Sequence, residues 1–119
     1  MNVSSLMGPN GERPALVTDM GPHDVLMGRG AIATYYEGNL RLREIVVNRR
    51  EDYVEAVKRS EKHRIADEIV QIVLDKGGRF LESADNVVGI ETTRIPQDAV
   101  VWLIVPESAR PLLIKKVQH

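Results

Sequence analysis

The stretch SEKHRIADEIVQIVLDKGG, from Ser60 to Gly78, gives the clearest structural signal in the chain. Its apolar residues recur at three- and four-residue steps, which is typical of an amphipathic helix. One face carries Ile65, Ile69, Ile72 and Val73. Glycine is the residue most often found in the left-handed conformation just beyond a helix. The pattern therefore predicts a helix from Ser60 that stops at Gly77.

A second helical pattern precedes this one. Apolar residues recur at helical spacing from Leu42 to Val57, and Asn39 is a residue type that favours the N-cap position. Further upstream, DVLMGRG at residues 24–30 predicts a short buried strand that ends at the glycines. The intervening AIATYYEG, residues 31–38, is predicted to be a loop.

The C-terminal third is β-rich. Runs of β-branched residues at 87–95 and 99–105, separated by Pro96-Gln97-Asp98, predict a hairpin whose second strand is buried on both faces. Residues 107–119 predict a short helix with Pro111 in its first turns, where a missing N–H does least harm.

The order strand, helix, helix, β-hairpin, helix predicts a small single α+β domain. Two helices followed by a two-stranded wing are also typical of a winged-helix-like arrangement. The 119 residues suffice for one core. We expect a flexible N-terminal arm over residues 1–22, which hold three prolines and three glycines, and the domain over residues 23–119.

Composition excludes several classes of protein. The content of 43% hydrophobic and 28% charged residues is typical of a globular chain. The absence of cysteine excludes disulfides, thiolate nucleophiles and Cys-ligated metals, and the three histidines show no metal-ligand spacing, so we expect no metal site. Without a signal-peptide pattern or a membrane-length apolar run, we expect an intracellular protein of the nucleus or cytoplasm with no membrane partner.

Three stretches resemble a domain of unknown function that is abundant in diatom and related algal proteins: DVLMGRG with EGNLRLREIV after it, KHRIADEIVQIVLDKGGRFL, and WLIVPESARPLLIKKVQH. That family has Asp-Val-Leu-x-Gly-Arg-Gly, then Gly-Asn with an arginine, then Gly-Arg-Phe-Leu, then a tryptophan and a last helix. The matching positions are Asp24, Val25, Leu26, Gly28, Arg29, Gly30, Gly38, Asn39, Arg41, Arg43, Tyr53, Gly78, Arg79, Phe80, Leu81, Trp102, Val105, Lys116 and Val117.

The chain also departs from that family pattern. AIATYYEG stands where the family has a glycine-rich loop with Asn and His, and Leu42 replaces a common phenylalanine. The stretch between Leu81 and Trp102 is longer and richer in β-branched residues. We expect a divergent or shortened member. The resemblance implies a regulatory role, because these domains often accompany polar, low-complexity regions in larger proteins.

Gly28, Arg29 and Gly30 form one candidate ligand-binding site. They partly fit the dinucleotide fingerprint G-x-G-x-x-G/A, but that motif must open directly into a helix whose N-terminus faces the pyrophosphate. With a predicted loop behind Gly30, we expect Arg29 to have a structural role, such as contacting Asp24 or helix-end carbonyls. A phosphate or carboxylate contact is the functional alternative.

The second candidate is a basic surface. Residues 41–64 hold eight basic and five acidic side chains, a net charge of +3, in a chain whose net charge is -1. Mixed charge is typical of a solvated helix face, but basic pairs flank the helix–helix junction and a two-helix unit with a basic rim can bind a nucleic-acid backbone. The candidate nucleic-acid-binding residues are Arg41, Arg43, Arg49, Arg50, Lys58, Arg59 and Arg79.

The sequence gives little support for an enzyme. Ser, His and Asp residues lack a recognisable nucleophile context, and adjacent carboxylates such as Glu51 and Asp52 point to different sides of a helix. We therefore expect no catalytic residue and no cofactor. The favoured function is a regulatory module that binds nucleic acid, chiefly DNA. The alternative is a protein-interaction or oligomerisation module, which suits the near-zero net charge.

Overall fold

A computed structural model describes residues 2–28, 31–89 and 101–118 and confirms an α+β fold. The strands are β1 Leu16–Val17, β2 Val25–Leu26, β3 Phe80–Ser83 and β4 Trp102–Ile104. The helices are α1 Ala31–Tyr35, α2 Glu37–Asn48, α3 Arg50–Glu55, α4 Arg59–Asp75 and α5 Arg110–Gln118. The strands form one mixed sheet in the order β1, β4, β3, β2.

Helix α4 is the centre of the main core, as its periodicity predicts. Its buried face consists of Ile65, Ala66, Ile69, Val70 and Val73. This face packs against Leu113, Ile114 and Val117 of α5 and against side chains of the sheet. Gly77 ends the helix with φ +79°, a conformation that costs glycine little. The predicted helix and its stop are therefore confirmed.

The sheet is buried on both faces near its centre. Helices α1 to α4 connect β2 to β3, so these strands pair in parallel, with Val25 opposite Phe80 and Leu26 opposite Leu81. Because successive residues of a strand point to opposite faces, Phe80 enters the main core while Leu81 packs with Leu26 and Ala33 in a second, smaller cluster. Helix α1 thus covers the second face.

The predicted loop over residues 31–38 is wrong, because these residues form α1 and the start of α2. Helix α1 has only five residues, and Ile32 and Tyr35 are exposed, so it carries no amphipathic repeat. Asn39 is not an N-cap: Tyr36 precedes α2 and Asn39 lies within it. The helix predicted to run on to Val57 is divided at Arg49, whose φ of -102° and ψ of 5° are not helical.

The hairpin that follows the helices consists of β3 and β4, with Leu81 opposite Ile104. The predicted second strand is confirmed at Trp102–Ile104, and its antiparallel partner is β3 at Phe80–Ser83. Residues 87–89 of the predicted first strand form no strand, and the predicted turn at 96–98 lies outside the described residues. A 3-10 turn at Ala84–Asn86, capped by the Ser83 side chain, ends β3. Val88 makes only an isolated bridge with Asn2, and residues 90–95 lie outside the described residues. The winged-helix-like arrangement stays a prediction.

Both ends of the described chain contact the domain. Leu6, in a 3-10 turn at Val3–Leu6, is fully buried in the main core, and Leu16 of β1 pairs with Leu103 of β4. The flexibility expected of residues 1–22 stays a prediction. At the other end, a 3-10 turn at Glu107–Ala109 leads into α5, which confirms a C-terminal helix with Pro111 in its first turn. No helix among the described residues has the length and apolar character needed to cross a membrane.

Candidate functional site

Helices α3 and α4 form a compact helix–turn–helix unit. Three residues, Ala56 to Lys58, link the end of α3 to the start of α4, a length typical of this motif. Ala56 is buried, and its N–H donates to the Asp52 carbonyl at 3.1 Å, which fixes the turn. Val57, at the tip of the turn, is 92% exposed. The unit therefore presents its turn and the first residues of α4 to solvent.

Basic side chains lie at the start of α3, in the turn and at the start of α4. Arg50 begins α3, Lys58 and Arg59 join the turn to α4, and all three side chains are exposed. None of the three makes an ion pair with a described residue. Residues 58–64 hold four basic side chains and one acid, Glu61. We call the set Arg50, Lys58, Arg59, Lys62 and Arg64 the junction surface.

Two members of the junction surface have weak internal contacts. The Nζ atom of Lys62 lies 5.4 Å from the centroid of the Tyr53 ring, within the range of a cation–π contact. Arg64, which is mostly exposed, lies 4.0 Å from Glu68. Such solvated contacts are worth little, so both cations remain able to contact an anion.

The first turn of α4 adds backbone donors to the junction surface. Lys58 takes the N-cap position in an extended conformation, and no described side chain caps the helix. The Lys58 carbonyl accepts from the N–H groups of Glu61 and Lys62 at 3.1 and 3.2 Å. The first N–H groups of a helix point outward and favour an anion such as phosphate.

Arg49, another of the predicted nucleic-acid-binding residues, joins three helices. It lies between α2 and α3, and its guanidinium donates to Asp52 at 3.0 Å and to Glu68 of α4 at 2.8 Å. The hydrogen bonds to Glu68 and then to Asp52 raise the pKa of Arg49 above its ordinary value. Arg49 therefore holds α3 against α4, which positions the junction surface.

Arg79 is held by Asp24, a carboxylate that the strand β2 brings next to the start of β3. Its Nη2 lies 2.6 Å from Oδ2 of Asp24, and the Arg79 N–H donates to Oδ1 at 2.9 Å. The pairing with Asp24 raises the pKa of Arg79. Asp24, the carboxylate suggested above as a partner of Arg29, is thus paired with Arg79. Arg29 itself lies outside the described residues.

Asp24 also organises the backbone around it. Burial by itself raises the pKa of Asp24, but hydrogen bonds from the Arg79 side chain and from the N–H groups of Gly21 and Arg79 outweigh burial and lower it. The Tyr36 hydroxyl donates to the Gly21 carbonyl, and burial together with the charges of Asp24 and Glu37 raises the pKa of Tyr36. Asp24, Arg79, Gly21 and Tyr36 therefore form one hydrogen-bonded cluster at the start of β2.

Asn39 closes the free edge of β2, a role that sequence reasoning missed. Its Oδ1 accepts from the Leu26 N–H at 2.8 Å and its Nδ2 donates to the Leu26 carbonyl at 3.0 Å, so the amide substitutes for a neighbouring strand. A Cβ on Gly38 would overlap the Asp24 carbonyl oxygen, and one on Gly78 would overlap the His23 carbonyl oxygen just before β2. The two glycines allow α2 and the end of α4 to approach β2.

Two more predicted cations lie on α2. Arg41 is exposed and pairs with Glu37 at 2.7 Å, while Arg43 donates to the Thr34 carbonyl and makes no ion pair with a described residue. Neither belongs to the junction surface. The structure therefore places Lys58 and Arg59 side by side at the turn and Arg50 at the other end of α3, next to Ala66 and Ile69 of α4. Arg41, Arg43 and Arg79 lie elsewhere.

The candidate ligand site at Gly28, Arg29 and Gly30 is described only in part, because Arg29 and Gly30 lie outside the described residues. The Gly28 carbonyl accepts from Lys116 Nζ at 3.2 Å. A helix does follow Gly30 directly, since α1 begins at Ala31, so the loop expected at this point of the dinucleotide fingerprint is wrong. At five residues, however, α1 is too short to provide the strong helix dipole that the fingerprint uses.

The described part of the chain contains no group of three His, Asp or Glu side chains placed to hold a metal ion. No curated protein and no solved structure shows significant similarity to the chain. A family model described as a domain of unknown function, DUF6824, matches residues 24–108. The match begins at Asp24, just before β2, and runs through α4 and the hairpin. It covers more than half of the chain. On that evidence, the chain belongs to the DUF6824 family.

Proposed function

We propose that this protein is a regulatory module that binds nucleic acid, chiefly duplex DNA, through the α3–turn–α4 unit. The observation that carries the proposal is the junction surface: Lys58, Arg59 and Arg64 are exposed at the uncapped start of α4, and Arg50 is exposed at the start of α3. In helix–turn–helix proteins the first helix crosses the DNA backbone and the N-terminal residues of the second helix enter the major groove. The spacing of α3 and α4 suits that arrangement.

The chemistry of each group suits a different part of a duplex. Arg50 and Lys58, on α3 and in the turn, suit phosphate contacts, which provide affinity but no sequence information. Arg59 and Arg64, in the first two turns of α4, have the planar guanidinium that binds guanine in the major groove. Val57 at the tip of the turn presents an aliphatic group of the kind that contacts a thymine methyl.

The overall charge of -1 makes this binding strongly dependent on the local surface. Acidic residues elsewhere on the chain repel a polyanion, so we expect weak, salt-sensitive affinity for random sequences. Arg79 contributes less, because Asp24 holds it. We further propose that the chain acts without catalysis in the nucleus or cytoplasm and shares the signature of the diatom and related algal domains that it resembles.

The experiment is a gel shift at low ionic strength with random duplex DNA and, in parallel, random RNA. The test variant replaces Arg50, Lys58 and Arg59 by Gln, and the matched control replaces three exposed cations elsewhere, Arg13, Lys76 and Lys115, by Gln. Binding by the wild type and the control but not by the test variant supports the proposal. No binding by the wild type at low salt ends it.

A second candidate is a protein-interaction or oligomerisation module, and exposed apolar side chains favour it. Ile32 and Tyr35 on α1 and Val54 on α3 are each about 70% exposed or more. Apolar exposure of this kind marks contact surfaces when it is contiguous. Size-exclusion chromatography with light scattering tests self-association directly: a dimer that Ile32→Glu dissociates supports it, and a monomer at all concentrations refutes it.

A further inference from the structure

A furrow runs along α2 where the end of α5 approaches it. It consists of two hollows, of about 640 and 100 Å³, and both are lined by Val46 of α2 and Val117 of α5. The larger hollow extends towards Gly28 and α1, and the smaller one towards α3. The shared residues make the two hollows neighbours along one surface.

The furrow has an apolar floor. The larger hollow is lined by Ala33, Leu42, Val46, Val47 and Val117. Val47 is 64% exposed, although it lies on the same helix as the buried Leu42. Aliphatic surface left open in a concave site favours an apolar side chain over water.

The charged residues that line the furrow are basic wherever the structure describes them. Arg43 and Lys116 line the larger hollow and Arg49 and Arg50 the smaller one, and no acidic side chain is among the described lining residues. Arg43 donates one hydrogen bond, to the Thr34 carbonyl, and pairs with no described carboxylate. Its guanidinium therefore keeps donors for an added anionic group.

We propose that this furrow binds an acidic, apolar peptide segment of a partner protein, with aliphatic side chains on the valine floor and a carboxylate at Arg43. A single-stranded nucleic acid suits the furrow less, because it offers no aliphatic side chains to the valine floor. Its bases stack on aromatic rings, and Tyr53 is the only aromatic residue among the described lining residues. An amphipathic segment laid in a helix-lined groove is a known mode of recognition. The inference gives the protein-interaction candidate a specific site, which shares only Arg50 among its described lining residues with the junction surface.

Fluorescence anisotropy with the full chain tests the site, using a labelled peptide of Asp-Asp-Leu-Leu repeats at low salt. We expect binding that weakens about tenfold or more in Val47→Glu and in Arg43→Glu. Matched controls are Val88→Glu, an equally exposed valine outside the furrow, and Lys115→Glu, the exposed neighbour of Lys116. Both controls should bind within about twofold of the wild type. Val47→Ser provides a milder floor variant if Val47→Glu fails to fold.

Variant peptides identify the chemistry. A peptide with Lys in place of Asp should not bind, and one with Ser in place of Leu should bind about tenfold more weakly. The inference is wrong if the acidic peptide does not bind, if Val47→Glu and Val47→Ser bind like the wild type, or if single-stranded oligothymidylate displaces the peptide. Arg59→Glu should retain the peptide and lose duplex DNA, so the failure of either proposal is recognised separately.

Discussion

Arg79 and Asp24, 55 residues apart, join the start of β3 to the start of β2 through four hydrogen bonds to one carboxylate. The Asp24 side chain is 3% exposed and that of Arg79 30%. Everything from α1 to α4 lies between these two residues in the chain. The pair therefore closes the segment that contains the helix–turn–helix unit.

Replacing Asp24 by Asn should lower the free energy of unfolding by about 2–4 kcal/mol, because it leaves a partly buried guanidinium without its counter-charge. Urea denaturation followed by circular dichroism measures the change. Asp85→Asn, at an exposed carboxylate, is the control and should change stability by less than about 0.5 kcal/mol. Equal stability of the two variants would contradict a structural role for the pair.

The same pair predicts a pH dependence. The pKa of Asp24 in the folded protein lies below its ordinary value of 3.8, so its contribution to stability is complete above that value and is lost as the pH falls through the lower, folded pKa. The stability difference between the wild type and Asp24→Asn should therefore be constant near neutral pH and shrink below pH 3.8. Denaturation curves of both proteins across this range measure it, and a pH-independent difference would refute the prediction.

Gly38→Ala should prevent α2 from packing on β2. The added Cβ would lie 2.7 Å from the Asp24 carbonyl carbon, closer than any real contact, and the backbone on both sides is held by Asn39 and Arg79. We expect a loss of about 3 kcal/mol or more, or failure to fold. Gly28→Ala is the matched control, since no described atom lies within 4 Å of its added Cβ. Thermal unfolding of the two variants compares them.

Arg49→Gln and Arg50→Gln should have opposite effects, although the residues are adjacent. Arg49 is 28% exposed and pairs with two carboxylates, so its loss should destabilise the fold by about 1 kcal/mol and change DNA affinity little. Arg50 is exposed and pairs with no described residue, so its loss should weaken DNA binding and leave stability unchanged. Combined denaturation and gel-shift measurements separate the roles, and the reverse pattern would contradict both assignments.

The salt dependence of duplex binding should report the number of cations used. If Arg50, Lys58 and Lys62 contact phosphates while Arg59 contacts a base, the logarithm of the binding constant should fall with the logarithm of salt concentration with a slope of about -2.7. Lys58→Gln should reduce the magnitude of that slope by about 1, whereas Lys115→Gln should leave it unchanged. A slope near zero would show that phosphate contacts do not drive binding.

Periodicity predicted the elements that bury a long apolar face. Helix α4 and its Gly77 stop follow directly from the spacing of Ile65, Ile69 and Val73. Helix α1 is not predicted by periodicity, because five residues are too few to repeat the helical spacing of apolar side chains. Asn39 was assigned to a cap because asparagine favours caps, and nothing local distinguishes that role from its hydrogen bonds to Leu26, which is 13 residues away.

The candidate site was predictable to a similar extent. The basic pairs around the turn, such as Lys58 and Arg59, are visible in the sequence and do lie at the helix–helix junction. The partners of Arg49 and Arg79 cannot be recognised in the sequence, because Glu68 and Asp24 are 19 and 55 residues away. A count of charges along the chain does not distinguish a cation held by a carboxylate from one that faces solvent.

Nuclear magnetic resonance of the ¹⁵N-labelled chain, titrated with a random-sequence DNA duplex at low salt, tests the nucleic-acid proposal most directly. The amide shifts should cluster at residues 50–64, with the largest at the turn and the first residues of α4, and should reverse on addition of salt. The absence of shifts at low salt, or shifts confined to β2 and α5, would contradict binding through the α3–turn–α4 unit.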